Sequence, residues 1–460
     1  MNFFGLKLWG LLFLSISVSA IAAEFTGPAE WKPVRTDAIK KWNSEQLKKA
    51  SPRYAVNDGV VADLDRREVK VLAEAVGHRA GITAEFLLVG PLSDRAYEAF
   101  AVTVATPSAI IKAMESLGVE RGGGVGSESF RFWPMGERVT LTVRELERDD
   151  SKPLPITDFI ADRDGELSKI ATEGLIFTGG GWDGSGHCLT DTNMPSSVCS
   201  LYNEQSTVFD LPGQFSQSSV YGRLSIGKKL DHGALLEITF RPLFPADGKK
   251  RVARYMLSVA KSPDGKYSVS RKALGATPAV DAAAMQLEKA LDWMKGESAA
   301  GRDLFVRIAM DGKLTLKEAA AAAKVFLMLD GKGLKLDGKV DGGVYPMAFQ
   351  PQDKWRDRKD RVPQPFELHL TRGTDGKIAK KLTFIEEDWS GESLDPKLTP
   401  KDYPFENWSE LLPLVRKTGG PENKVHLLFV FAPGDSELNE IMPGVNAVAS
   451  ELQLVYLFAD

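Results

Sequence analysis

The sequence predicts an α+β protein, with a strand-rich N-terminal domain followed by two small units of hairpin, helix, strand, helix and strand. Three observations favour this class. Short runs of alternating apolar and polar residues recur through the first half of the chain, and the second half mixes such runs with segments of helical period. The length of 460 residues also exceeds what one ordinary hydrophobic core holds, so two or three domains are expected.

The first 22 residues predict a cleaved secretory signal. Lys7 precedes a mostly apolar run over residues 8–18, and Ala20-Ile21-Ala22 provides small residues at both specificity positions of signal peptidase, so cleavage is expected after Ala22. The run is shorter than the ~20 residues of a bilayer span. No later run is long and apolar enough to span a membrane. We therefore expect a periplasmic or extracellular protein with no transmembrane segment after cleavage.

A lead-in helix or linker is expected over residues 23–50, and the strand-rich domain over residues 51–244. Alternation predicts its main strands at 69–72, 86–89, 100–104, 139–143 and 235–240. One helix interrupts them, because Thr106 supplies a hydroxyl cap, Pro107 follows at the first turn and Gly118 ends the apolar face.

The rest of the chain contains what the pattern predicts as a duplication. A strand pair about Asp264-Gly265 recurs about Asp375-Gly376, 111 positions later, and each pair precedes a helix, a buried strand, a second helix and a closing strand. The two small α/β units are expected at 250–345 and 346–460.

The composition excludes some partners. Hydrophobic residues make up 43% of the chain, and the formal net charge of −4 becomes −5 when the signal segment takes Lys7 with it. Such a mild charge provides no bulk attraction to nucleic acid or an anionic membrane. The one basic and aromatic run, residues 354–361, alternates with aspartates and is predicted to be a self-paired surface loop. No nucleic-acid partner is therefore expected.

Four ordered motifs mark the first domain. They are Glu85-Phe86-Leu87-Leu88-Val89, the helix from Thr106 to Gly118, Leu175-Ile176-Phe177-Thr178-Gly179-Gly180, and the segment from Cys199 to Pro212. On these motifs the domain resembles the YdjY-like domain of bacterial envelope proteins, which implies an envelope location without an established activity. This chain has Tyr97-Glu98-Ala99 where relatives carry His-Glu-Ser, so no role of that histidine is carried over.

The last unit has its own resemblance. Residues 425–435 predict a central strand and residues 436–448 the helix that follows it. In this order of elements the unit is similar to the periplasmic part of ExbD/TolR proteins. Their membrane helix with its proton-carrying aspartate has no counterpart here, so the resemblance implies a small module for contacts with envelope partners and not proton-driven work.

The segment from Gly174 to Pro212 holds the only two cysteines, Cys188 and Cys199, and the densest glycine cluster. An even cysteine count in a chain expected to be secreted favours a structural disulfide between them. In the chain-entropy model a bridge of this span stabilises the fold by roughly 3 kcal/mol. A disulfide-pinned loop is the favoured interpretation.

An alternative remains open for the same segment. His187, Cys188 and Cys199 could ligate a metal together with Asp183 or Asp191, or the thiols could form a redox pair. The adjacency of two of these ligands and the wide cysteine spacing weigh against both.

No other motif supports a catalytic residue or a cofactor. The glycine clusters at 122–126 and 179–181 lack a following Gly-Lys-Ser/Thr, and the acidic turns lack the ligand set of a calcium loop. The favoured function is a non-enzymatic binding or scaffolding protein of the bacterial envelope, which binds an envelope protein or associates with copies of itself. The alternative is a metal- or redox-dependent envelope enzyme centred on His187, Cys188 and Cys199.

Overall fold

The computed structural model describes residues 28–51, 54–126, 131–148, 151–193, 195–244, 250–275, 281–338, 345, 348–351, 366–388, 390, 397–419, 426–452 and 454–459. These residues form the predicted α+β fold, with a barrel-like N-terminal sheet followed by two smaller sheets with helices. The predicted signal segment with its cleavage site at Ala22, and the basic run at 354–361, lie outside the described residues.

Seven α-helices are found in the described part of the chain. They are α1 (Pro28–Lys48), α2 (Pro107–Ser116), α3 (Glu166–Glu173), α4 (Leu287–Ala299), α5 (Leu316–Leu329), α6 (Leu411–Gly419) and α7 (Leu438–Val448). The predicted cap of α2 is confirmed, since the Thr106 hydroxyl accepts a hydrogen bond from the backbone N–H of Ala109. Among the described residues, none of these helices has both the length and the hydropathy that a membrane crossing requires.

The strands of the N-terminal domain are β1 (Tyr54–Asn57), β2 (Val60–Asp63), β3 (Glu68–Ala75), β4 (Phe86–Val89), β5 (Ala99–Thr103), β6 (Glu137–Glu145), β7 (Leu154–Pro155), β8 (Ile160–Asp162), β9 (Leu175–Phe177), β10 (Ser197–Ser200), β11 (Phe209–Asp210), β12 (Leu224–Ile226) and β13 (Leu235–Pro242). The later strands are β14 (Val252–Lys261), β15 (Tyr267–Ala273), β16 (Asp281–Gln286), β17 (Asp303–Met310), β18 (Lys335–Leu336), β19 (Phe349–Pro351), β20 (Phe366–Arg372), β21 (Ile378–Asp388), β22 (Lys397–Phe405), β23 (Leu427–Ala432) and β24 (Leu454–Ala459).

The N-terminal sheet closes on itself. Its order is β1-β2-β3-β13-β6-β9-β11-β10-β4-β5, and β5 returns to pair with β3 through Ala73 and Thr103. Both faces of β3 are therefore covered. Val69 and Val71 face the interior core, while Leu72 packs on the outside against Trp42 of α1. Closure removes most free strand edges.

The two later sheets have the same topology. One has the order β16-β15-β14-β17-β18 and the other contains β22-β21-β20-β23-β24, with matching parallel and antiparallel pairings at each step. Each unit contains a third antiparallel strand, β16 or β22, which the predicted order of elements lacked. In β22 the reason is visible, because Pro400 and Pro404 interrupt the strand pattern and are tolerated here at a sheet edge.

The two units contact each other through equivalent segments. The helix caps Thr315 of α5 and Glu437 of α7 form an antiparallel bridge. The backbone N–H of Leu316 donates to the carbonyl of Ser436 at 2.8 Å, and that of Leu438 donates to Leu314 at 2.9 Å. Each pair of corresponding residues is 122 positions apart, so the contact has approximate two-fold symmetry. A single hydrophobic core spans both units.

Candidate functional site

The two cysteines are buried and are not bonded to each other. Cys188 lies in a loop where its backbone bridges to Trp182, whereas Cys199 lies in β10 between Leu88 of β4 and Phe209 of β11. Each backbone position is therefore set by different partners, and the predicted disulfide is not formed in the structure. Burial raises the pKa of both thiols, which keeps them protonated at neutral pH and poorly suited to nucleophilic or redox chemistry.

The two carboxylates of the predicted metal set accept hydrogen bonds from backbone N–H groups. One oxygen of the exposed Asp183 accepts hydrogen bonds from the backbone N–H groups of Ser185 and His187, each at 2.9 Å, and the Ser185 hydroxyl helps to lower its pKa. The carboxylate of Asp191 accepts from the backbone of Ser108 at the start of α2, at 2.8 Å. The metal alternative comprised His187, Cys188, Cys199, Asp183 and Asp191. Across the described residues, no three His, Cys, Asp or Glu side chains gather as a metal-binding group.

The glycine cluster shapes the backbone of this segment. Gly179 and Gly180 both have positive φ, and a Cβ on Gly179 would meet the side chain of Arg121 within 2.9 Å. The Arg121 guanidinium in turn lies over the ring of Trp182, 3.7 Å from its centroid, and the Trp182 indole N–H donates to the Gly179 carbonyl at 2.7 Å. The segment is therefore held by packing and hydrogen bonds.

Two buried acids lie in the same segment. Asp210 is fully buried in β11, where its Oδ1 accepts from the Asn203 amide at 3.0 Å and from the backbone N–H of Leu211 at 2.7 Å. Burial raises the pKa of Asp210 well above its usual range, and burial likewise raises the pKa of Glu204 to about 7. Both acids therefore lower the stability of the fold when they ionise, and neither lies at an exposed reactive position.

A second group of side chains, from the segments that precede β4, β5 and β12, forms an accessible site. We call it the Glu85 site, and it consists of Glu85, Glu98, Tyr97, Tyr221 and Gln217. Glu85 precedes β4, and Glu98 ends a 3₁₀ turn before β5. The backbone N–H of Glu85 donates to the Glu98 carbonyl at 2.9 Å, which places the two carboxyl groups close enough for the charge of Glu85 to raise the pKa of Glu98.

The Glu85 carboxylate is buried, with 2% of the residue exposed, and each of its oxygens has a donor. The Tyr221 hydroxyl donates to Oε1, and the Gln217 amide donates to Oε2 at 2.9 Å. The hydrogen bond from Tyr221 to Glu85 raises the pKa of Tyr221 to about 12, so the tyrosine hydroxyl remains a donor at physiological pH. Burial is the largest cause of the raised pKa of Glu98, followed by the charge of Glu85. The site thus has an acidic floor.

The rim of the Glu85 site is aromatic and accessible. Tyr97 is 50% exposed and Tyr221 is 57% exposed, and they are two of the six large hydrophobic side chains exposed in the described part of the chain. Arg95 donates to the Tyr97 hydroxyl at 2.8 Å and fixes its position. Aromatic side chains with a polar tip are enriched at protein interfaces. An acidic floor beneath tyrosine rings suits a positively charged hydrogen-bond donor, through charge-assisted hydrogen bonds and cation–π contact.

Comparison with known proteins does not assign this chain to a family. No protein-family model matches the chain, and no curated protein matches it. Among solved structures, prototype foamy virus protease-reverse transcriptase is similar over 45% of this chain and 35% of its own, with 7% identity and a TM-score of 0.14. The Aquifex aeolicus PPX-GPPA enzyme is similar over 45% of this chain and 95% of its own, with 8% identity and a TM-score of 0.14. The chain thus spans about a third of the length of the foamy virus protein.

At these TM-scores the similarities carry no argument about fold or function. The resemblances to YdjY-like and ExbD/TolR proteins stay predictions.

The sequence contained part of the signal for the Glu85 site. Glu85 lies in a motif of the YdjY-like resemblance, and Glu98 lies 13 positions later in the triplet where this chain departs from that family. Nothing in their spacing shows that a hydrogen bond joins their backbones. Gln217 and Tyr221 come from a polar segment without strand or helix periodicity. Only the tertiary fold brings that segment to Glu85.

Proposed function

We propose that the protein is a secreted protein of the bacterial envelope that acts by binding or scaffolding and not by catalysis. Export would follow from the N-terminal signal with cleavage after Ala22, and the mature chain would work in the periplasm or outside the cell. The observation that carries the binding role is the Glu85 site, where half-exposed tyrosines lie beside the buried Glu85 and the partly exposed Glu98.

The chemistry of the Glu85 site indicates what it would bind. Glu85 already has two donors, and Arg95 lies 3.6 Å from the Glu98 carboxylate. A ligand would therefore share Glu98 with Arg95 and contact the faces of Tyr97 and Tyr221. A lysine or arginine side chain of a partner satisfies a carboxylate and stacks on tyrosine at the same time. The partner class is therefore an envelope protein with an exposed basic side chain, which includes a second copy of this chain.

The enzymatic alternative has less support. Both thiols are buried with raised pKa values, and the carboxylates of Asp183 and Asp191 already accept hydrogen bonds from backbone N–H groups. These observations favour binding over metal or redox chemistry.

Site-specific photo-cross-linking in intact cells tests the proposal. A photoreactive phenylalanine analogue at Tyr97 is expected to capture a defined envelope protein, and the mature chain is expected to begin at Ala23. The same analogue at Met328, an exposed residue of α5 in the first later unit, serves as the matched control. Glu98→Gln should weaken capture from position 97, since it removes the charge that the partner's cation meets.

Three results would count against the proposal. They are the absence of a captured species from position 97, equal capture from position 328, and capture that Glu98→Gln leaves unchanged. A retained signal segment would contradict the secreted location separately from the binding role.

A further inference from the structure

The joint between the barrel and the first later unit forms a partly open cavity of about 320 Å³. Its walls come from the chain after α2, from the start of β6 and from one face of β14. The volume lies at the lower end of the roughly 300–1,000 Å³ of small-molecule sites. A water occupies about 30 Å³ in the liquid, so the space exceeds what one bridging water fills.

Two buried polar atoms of the cavity walls have no hydrogen-bond partner in the protein. Glu137 is 9% exposed, and its carboxylate accepts from the backbone N–H groups of Arg251 and Val252, but its Oε2 is left unpaired. Arg254 donates through Nη2 to Asp337 at 3.2 Å, whereas its Nε is left unpaired. Buried polar groups are rarely left in this state, because each loses its hydration without compensation.

The other charged side chains of the cavity walls have ion-pair partners. Lys250 forms an ion pair with Glu120, and Arg121 donates to Glu115 at 3.0 Å. Arg254 shares the single carboxylate of Asp337 with Arg131 and Arg307, so its charge is only partly compensated. The lining therefore favours an occupant with an anionic group for Arg254 and a hydrogen-bond donor for Glu137.

We infer that this cavity is a binding site for a small monocarboxylate that also carries a hydroxyl or amino donor. The ligand carboxylate accepts from Nε of Arg254, and the ligand donor pairs with Oε2 of Glu137. Leu274 and Met135 supply apolar wall for a short carbon skeleton. The site is separate from the Glu85 site and does not depend on the binding role proposed there.

Three fragments with the same carbon skeleton test the inference on the full-length secreted chain. Lactate has both groups, propionate lacks the hydroxyl, and propane-1,2-diol lacks the carboxylate. Ligand-detected NMR titration is expected to show lactate binding about tenfold more tightly than either of the others, since each of them leaves one buried protein group unpaired. Equal binding of all three, or no binding below about 50 mM, would overturn the inference and indicate that the cavity holds only water.

A matched pair of variants locates the binding. Arg254→Lys keeps a positive charge near Asp337 but removes Nε, and it is expected to weaken lactate binding about fivefold. Arg271→Lys makes the same exchange on β15, outside the cavity, and should change binding less than about twofold. Equal effects of the two variants would place the lactate elsewhere. The fragment comparison on the unchanged protein remains decisive if Arg254→Lys fails to fold.

Discussion

Individual buried carboxyl groups make the stability of this protein sensitive to pH. Glu204 and Asp210 lie within the cysteine-containing segment, and burial raises the pKa of both. A sequence shows which residues are acidic but not which will be desolvated, and part of the segment was predicted as a disulfide-pinned loop. The structure instead holds the segment by strand pairing of Cys199 and by hydrogen bonds.

Glu204 provides a prediction at this scale. Its pKa rises from an ordinary 4.5 to about 7, so the folded chain binds a proton that the unfolded chain has lost between these values. The protonated Glu204 side chain thus contributes roughly 3 kcal/mol to the free energy of unfolding. This contribution is fully present below about pH 4.5 and is lost as the pH rises through about 7. Urea unfolding at pH 5 and pH 8 should show a fall in stability that Glu204→Gln reduces.

Glu288→Gln, an exchange at an exposed position of α4, is the control and should leave the pH dependence as in the wild type. A fall of equal size in Glu204→Gln would show that other groups account for it.

At the scale of elements, the two later units show what sequence periodicity can and cannot reveal. The Asp-Gly turns and the helices that follow mark both copies, because turns and helices are encoded by neighbouring residues. The third strands were missed, since an edge strand needs no alternating apolar face and can contain proline. Barrel closure was also beyond the sequence, because β13 pairs with strands about a hundred or more positions away.

The capping box of α5 provides the prediction for this scale. The Thr315 hydroxyl accepts from the N–H of Glu318 at 3.3 Å, and the Glu318 carboxylate accepts from the N–H of Thr315 at 3.0 Å. Thr315→Ala should lower the free energy of unfolding by about 1 kcal/mol, measured by chemical denaturation. Thr399→Ala, on the exposed edge strand β22, should cost less than about 0.5 kcal/mol. If Thr315→Ala lowered the free energy of unfolding no more than Thr399→Ala does, the cap would be dispensable.

At the scale of the molecule, ion pairs join the barrel to the first later unit. Arg131 of the barrel domain donates to Asp337 at 2.7 Å, and Arg138 of β6 donates to Asp303 at 3.2 Å. Arg254 and Arg307 also face Asp337, which is 1% exposed. The charges of Arg131, Arg254 and Arg307 lower the pKa of Asp337 although its burial opposes this. None of these pairs follows a local spacing, so the joint could not be predicted from the sequence.

Asp337→Asn should destabilise the whole molecule. Three guanidinium groups lose their shared counter-charge, and breaking such a buried pairing lowers the free energy of unfolding by about 3 kcal/mol, measured by chemical denaturation. Because the pKa of Asp337 is depressed, its contribution is present above about pH 4 and is lost as the pH falls, so the variant should also be less sensitive to acid. Asp292→Asn, in an exposed pair with Lys295, should have little effect on either quantity. Unchanged acid sensitivity in Asp337→Asn would contradict this account.

The contact between the two later units also bears on the history of the chain. Each unit offers the same segment, before its second helix, to the corresponding segment of the other, with hydrogen bonds exchanged reciprocally. Reciprocal pairing of one surface with its own copy is the geometry of a two-fold homodimer. An ancestral gene that encoded one such unit, self-paired as separate chains, would produce this arrangement on tandem duplication and fusion.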